Sequence, residues 1–149
     1  PNLIVSRTFS KAYGLAGLRI GYCISHPQVA NILNRVRQPF NVDSFALAAA
    51  TAVLDDADYL QRSRQINREG MQQLVQGFNK LGLDYIPSAG NFITVHFDRE
   101  AGPLYQALLR EGVIVRPVAN YGMPTSLRIS IGLPAENARF LQALEKVLG

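Results

Sequence analysis

Apolar and polar positions along this chain fall into two different rhythms. Leu3-Ile4-Val5 is a short apolar run that reads as a buried strand, and Leu18 to Ile24 reads as a second buried strand. Thr8 to Gly17 is loop-like, carrying Ser10, Gly14 and Gly17. Pro27 takes the favoured first position of a helix predicted to reach about Arg37, and Pro39 stops it. Ser44 is the expected cap of an alanine-rich helix from Phe45 to about Leu54. A long helix follows from about Ala57 to Leu81. Leu60, Met71, Leu74, Phe78 and Leu81 give it an apolar stripe, and Gly82 is placed to terminate it.

Beyond Gly82 the elements shorten. Tyr85-Ile86 reads as a strand, and Asn91 to Phe97 as a strand of period-2 character. Leu104 to Arg110 is a helix ended by Gly112. Val113 to Val118 and Leu127 to Ile131 are strands. Pro134 opens a last helix with Ala138, Leu141, Leu144 and Leu148 on one face. The order β-β-α-β-β-α predicts a small α+β domain over residues 81–149, with residues 1–80 forming an α/β part that ends in the long linking helix.

Composition leaves this picture intact. The 149 residues are 48% hydrophobic and 17% charged, which is enough apolar material for a core and too little charge for disorder. No apolar run suits a bilayer, and no secretory signal is expected. The chain begins with Pro1 rather than Met, so its N-terminus is expected to lie upstream. The lone Cys23 excludes an internal disulfide, offers no metal cluster and fits a reducing cytoplasm. The net charge is +4, but the arginines are spread from Arg7 to Arg139 with no like-charge run beyond two residues. That distribution favours a small anionic ligand over nucleic acid.

Chemistry narrows to one loop. Of three lysines, Lys80 and Lys146 close helices, where a cation suits the helix dipole. Lys11 has no such role and lies in a Ser/Gly-flanked loop after a strand, where α/β folds place functional groups. Thr8 and Ser10 put hydroxyls beside it, Arg19 follows eight residues on, and Gly14 to Gly17 lets the backbone turn back between them. Hydroxyls with a guanidinium make a phosphate cradle. Spacing alone leaves a solvated lysine and an unrelated arginine equally open.

The segment Ser10-Lys11-Ala12-Tyr13-Gly14-Leu15-Ala16-Gly17-Leu18-Arg19-Ile20-Gly21-Tyr22 resembles the lysine motif of fold-type I pyridoxal-phosphate (PLP) enzymes, and more narrowly that of histidinol-phosphate aminotransferases. The resemblance continues through Arg37 to Val42, Ser88 to Ile93, Gly112 to Pro117 and Leu127 to Gly132. It implies that Lys11 carries PLP and that Thr8, Ser10 and Arg19 bind the cofactor phosphate. It implies an α/β fold, the C-terminal part of a fold-type I transferase: the end of the large domain, then the small α+β domain.

Arg116 and Arg128 stand in apolar strand contexts. If their strands pair around a turn centred on Gly122, the two fall opposite each other, which destabilises a sheet unless an anion lies between them. Read without the resemblance, two solvent-facing arginines fit as well. In histidinol-phosphate aminotransferases the matching arginines hold the substrate phosphate; in amino-acid transaminases the match of Arg128 holds the α-carboxylate. The implied reaction is transamination of histidinol phosphate with 2-oxoglutarate, in histidine biosynthesis, by a cytoplasmic homodimer without nucleic-acid or membrane partners. Threonine-phosphate decarboxylase, another class I/II aminotransferase, and a non-catalytic dimerisation or regulatory domain are the alternatives. The resemblance also implies that the ring-pairing aspartate, the stacking aromatic and the glycine-containing phosphate loop lie upstream, so this chain alone is expected to be inactive. His26 and His96 are expected to be structural, Tyr13 and Tyr121 to pack rather than line the pocket, and Asn91 to cap or bond backbone near the site.

Overall fold

A computed structural model describes residues 2–149. Packing divides the chain into two compact units, Pro1–Arg64 and Gln65–Gly149. The first holds strands β1 (Ile4–Thr8) and β2 (Gly21–Ser25), helices α1 (Pro27–Val36) and α2 (Ser44–Leu54), and the start of α3 (Ala57–Lys80). The second holds the rest of α3, then β3 (Tyr85–Ile86), β4 (Phe92–His96), α4 (Ala101–Arg110), β5 (Arg116–Pro117), β6 (Ser126–Ser130) and α5 (Pro134–Leu148). Compactness therefore divides α3 itself, whereas the sequence pattern assigns the whole helix to the first part. The physical reason is that Leu74 and Phe78, on its C-terminal half, are fully buried in the second unit's core.

In the first unit β1 and β2 pair antiparallel, from Ile4 opposite Ser25 to Thr8 opposite Gly21. Both were expected to be buried, yet every residue of β1 is exposed, and so are the first four of β2. They form a two-stranded ribbon, and the described residues cover too little of either face to bury it. The unit's small core lies at the ribbon's end, where Phe9 and Ile20 meet Ala46 and Ala50 of α2. Helix α2 is capped by Asp43, whose carboxylate accepts from the Ala46 amide at 2.9 Å, rather than by Ser44. The carboxylate one residue earlier reaches the free amides of the first turn, so Ser44 becomes the first helical residue.

The second unit contains a four-stranded antiparallel sheet in the order β3-β4-β6-β5. Ile93, Val95, Leu127 and Ile129 form one face, covered by apolar residues of α3, α4 and α5. The rings of Phe78 and Phe140 meet edge-on at 6.2 Å. Alternation sends Phe92, Thr94, Ser126 and Arg128 to the other face. The strand expected from Val113 to Val118 is only two residues long. The Val113 amide donates to Leu108 O at 2.9 Å, so this residue belongs to the turn that closes α4. On α5 the buried residues are Asn137, Phe140, Ala143 and Leu144. The expected stripe overlaps this set only at Leu144, because Leu141 and Leu148 flank the core rather than fill it. No described helix is long and apolar enough to cross a membrane.

Candidate functional site

The loop between β1 and β2 is closed by its own backbone. Phe9 N donates to Ile20 O at 3.2 Å, Leu15 N to Phe9 O at 3.0 Å, and Gly14 N to Lys11 O at 2.9 Å. Gly21 lies where a Cβ would come within 2.6 Å of Arg7 O, so a side chain there would push the ribbon apart just where the loop begins. Gly14 has φ +71, and a Cβ on it would meet the Tyr59 hydroxyl at 2.5 Å. Both the turn and the close approach of Tyr59 therefore call for glycine.

On this frame Ser10, Lys11 and Arg19 share one loop, entered directly from Thr8 at the end of β1. Thr8 Oγ1 accepts the Ser10 amide at 3.0 Å, which leaves the threonine proton free to be donated elsewhere. Arg19 takes the left-handed conformation, φ 51 and ψ 44, directly after the 3-10 turn Ala16–Leu18. A non-glycine residue there costs about 1–2 kcal/mol, and such strain gathers at functional positions. One of its guanidinium nitrogens donates to Ala16 O at 2.8 Å, tying the arginine back onto the loop. The lysines separate as expected. Lys80 pairs with Glu145 at 3.5 Å and Lys146 with Glu111 at 2.7 Å, whereas the Lys11 amine has no hydrogen bond or ion pair among the described residues. An unpaired amine, two hydroxyls and a guanidinium on one short loop suit a phosphorylated carbonyl compound.

In the second unit, Arg116 and Arg128 are direct cross-strand partners, the register expected from a turn at Gly122. Each rests on an aromatic ring. Arg116 donates to the Tyr121 hydroxyl at 3.3 Å, and the Arg128 guanidinium lies 4.7 Å from the centre of the Phe92 ring. The Arg128 Nε is buried without a hydrogen-bond partner. A buried donor left unpaired costs on the order of 1–3 kcal/mol, which an anion would recover. Phe92 was not legible as a site residue: its alternation marks it as strand, and only the register brings it beneath Arg128.

The remaining candidates make local contacts. His26 caps α1, its Nδ1 accepting from the Gln28 amide. His96 Nδ1 lies 2.6 Å from the buried Ser126 hydroxyl. Tyr13 packs on Phe9, and Asn91 O receives the Ile131 amide. No cluster of metal-ligating side chains occurs among the described residues.

Known proteins are similar to this chain in sequence and fold. Residues 1–144 match the family profile described as Aminotransferase class I and II. Histidinol-phosphate aminotransferase 2 of Pseudomonas aeruginosa is 72% identical over 148 residues, which make up 99% of this chain and 40% of that protein. Histidinol-phosphate aminotransferase 1 of Nitrosococcus oceani is 60% identical over the same shares. The crystal structure of histidinol-phosphate aminotransferase from Sinorhizobium meliloti in complex with pyridoxal-5'-phosphate superposes with a TM-score of 0.89 at 36% identity, covering 99% of this chain and 41% of that one. L-threonine-O-3-phosphate decarboxylase from Porphyromonas gingivalis superposes with a TM-score of 0.84 at 27% identity, covering 99% and 47%. The chain thus spans about 40% of the length of the curated relatives it matches, and it belongs to the aminotransferase class I and II family.

Proposed function

We propose that this chain supplies the cofactor lysine and the substrate arginines of a PLP-dependent aminotransferase that converts histidinol phosphate and 2-oxoglutarate into imidazole acetol phosphate and glutamate. The observation that carries the reading is the Lys11 segment, which joins an unpaired amine, two hydroxyls and the left-handed Arg19 within twelve residues. The names of relatives 60–72% identical to the chain support the substrate.

The donor set fits the cofactor: Thr8, Ser10 and Arg19 would hold its phosphate, and Lys11 its carbonyl carbon. When bound, PLP supplies an electron sink for the charge left on the substrate. Lys11 is the general base whose Nζ takes the proton from the substrate carbon that bears the amine. Arg116 and Arg128 bind the substrate's anionic group and orient it, the Arg128 Nε gaining the partner it lacks. Residues 1–80 are assigned to the end of the large domain with its linking helix, whose Leu74 and Phe78 pack in the core of the small domain, residues 81–149. The working enzyme is a cytoplasmic homodimer without nucleic-acid or membrane partners, its other site residues coming from sequence outside this chain. A regulatory domain without chemistry would have no use for the Lys11 constellation.

Borohydride reduction of the full-length protein with PLP, followed by peptide mapping, should place the label on Lys11. A label on Lys80 or Lys146 refutes the assignment. Replacing Arg116 should weaken histidinol phosphate binding by on the order of 1.5–3 kcal/mol and affect a plain amino acid less. Equal losses would count against a phosphorylated substrate. Release of carbon dioxide from threonine phosphate would point to the decarboxylase reading.

A further inference from the structure

The residue between the two hydroxyl donors is Phe9, and it is treated very differently from its neighbours. Thr8 and Lys11 are exposed, whereas Phe9 is 5% exposed and belongs to the first unit's core with Ile20, Ala46 and Ala50. Its ring lies 5.1 Å from the Tyr13 ring and 5.8 Å from the Tyr22 ring. Its amide and its carbonyl are both bonded, to Ile20 O and by Leu15 N. The Thr8 hydroxyl also closes over it onto the Ser10 amide. Side chain, donor and acceptor are thus all fixed at one residue, and two of the loop's three internal backbone bonds described above run through it.

From this geometry we propose that Phe9 is a positioning residue for Lys11 and its flanking hydroxyls; the proposal rests on the reading of Lys11 as the cofactor lysine. An exposed lysine has little of its own to hold it in place, so its amine is located by the backbone that carries it. That backbone is anchored two residues away by a ring set in a packed core, where a lost contact is felt directly. The phosphate donors Thr8 and Ser10 flank the same anchor. A shift of Phe9 therefore moves amine and donors together, and displacements near 1 Å at such a site can cost up to about a hundredfold.

The test compares the full-length parent protein with Phe9→Leu and Phe9→Ala. The readout is the rate of borohydride-trapped labelling at Lys11 by pyridoxal phosphate, relative to pyridoxal without the phosphate. Thermal melting is followed in parallel. Phe9→Leu keeps apolar bulk but loses both ring contacts. It should melt close to the parent yet lose roughly threefold of the phosphate preference, and Phe9→Ala about tenfold. A folded Phe9→Leu protein with the parental preference would overturn the proposal and leave Phe9 a packing residue only. A parent that labels equally with both reagents would instead sink the cofactor reading itself, so the two failures are told apart.

Discussion

The two units use apolar side chains to opposite ends. In the second, the inward residues of β4 and β6 meet three helices, and Leu74, Phe78, Ile93, Leu108, Leu127 and Leu144 are all fully buried. In the first, β1 and β2 leave Ile4, Val5, Tyr22 and Ile24 in contact with solvent, and among the described residues only Phe9, Ile20, Ala46 and Ala50 are buried. The second unit has a closed core of its own. The first has one well-packed corner, and that corner lies beneath the Lys11 loop. The difference teaches that local order at a site does not require a self-sufficient domain: the loop is fixed by Phe9 and a few backbone bonds, while the adjoining strands still present apolar surface that calls for cover.

The comparison is broken most readily at Phe78. This ring is fully buried and touches the rings of Tyr85 and Phe140. Phe78→Ala should cost about 3–5 kcal/mol, read as a lower denaturant midpoint for exchange of the β4 and β6 amides. A loss below about 1 kcal/mol would mean that the second unit is not the closed core described.

A middle-sized effect is expected at Asn137, which is 2% exposed. Its side chain accepts from Gly132 N at 2.9 Å and donates to Gly132 O at 3.1 Å and Gln73 Oε1 at 3.2 Å, joining α5, the end of β6 and α3. Asn137→Ala strands these partners and should cost about 1–3 kcal/mol in the same denaturation experiment. Asn137→Asp keeps the acceptor but sets a carboxylate oxygen against Gly132 O and Gln73 Oε1 at a buried site, so it should cost at least as much as the alanine variant.

Much of this was legible in the residues. Pro27, Pro134 and Gly82 fall at helix boundaries as their chemistry requires, and the 116–128 pairing followed from strand alternation around Gly122. The Lys11 constellation was legible because Lys80 and Lys146 have helix-terminal roles and Lys11 has none. What was not legible depends on partners distant in sequence. Phe92 comes to lie against the Arg128 guanidinium only through the pairing of β4 with β6, and nothing local ties Gly14 to Tyr59. The apolar runs in β1 and β2 announce strands meant for burial, but a run cannot say what covers it.

The smallest effect sharpens the comparison furthest. Ile24 is 61% exposed on β2. In the 149-residue chain, Ile24→Ala removes methylenes that water already reaches, so the loss should stay within about 0.5 kcal/mol, as for other surface substitutions. The relatives are longer, and this chain spans about 40% of their length. If the remaining sequence folds over the ribbon, the same substitution in a polypeptide extended to that length removes a buried side chain, and the cost should rise to about 2 kcal/mol or more. Measuring both proteins turns one residue into a gauge of cover. Small values in both would mean that the ribbon stays open in the longer protein. A large value in the 149-residue chain would mean that the ribbon is already covered, and sedimentation would then show whether a second copy, pairing along the exposed strands, supplies the cover.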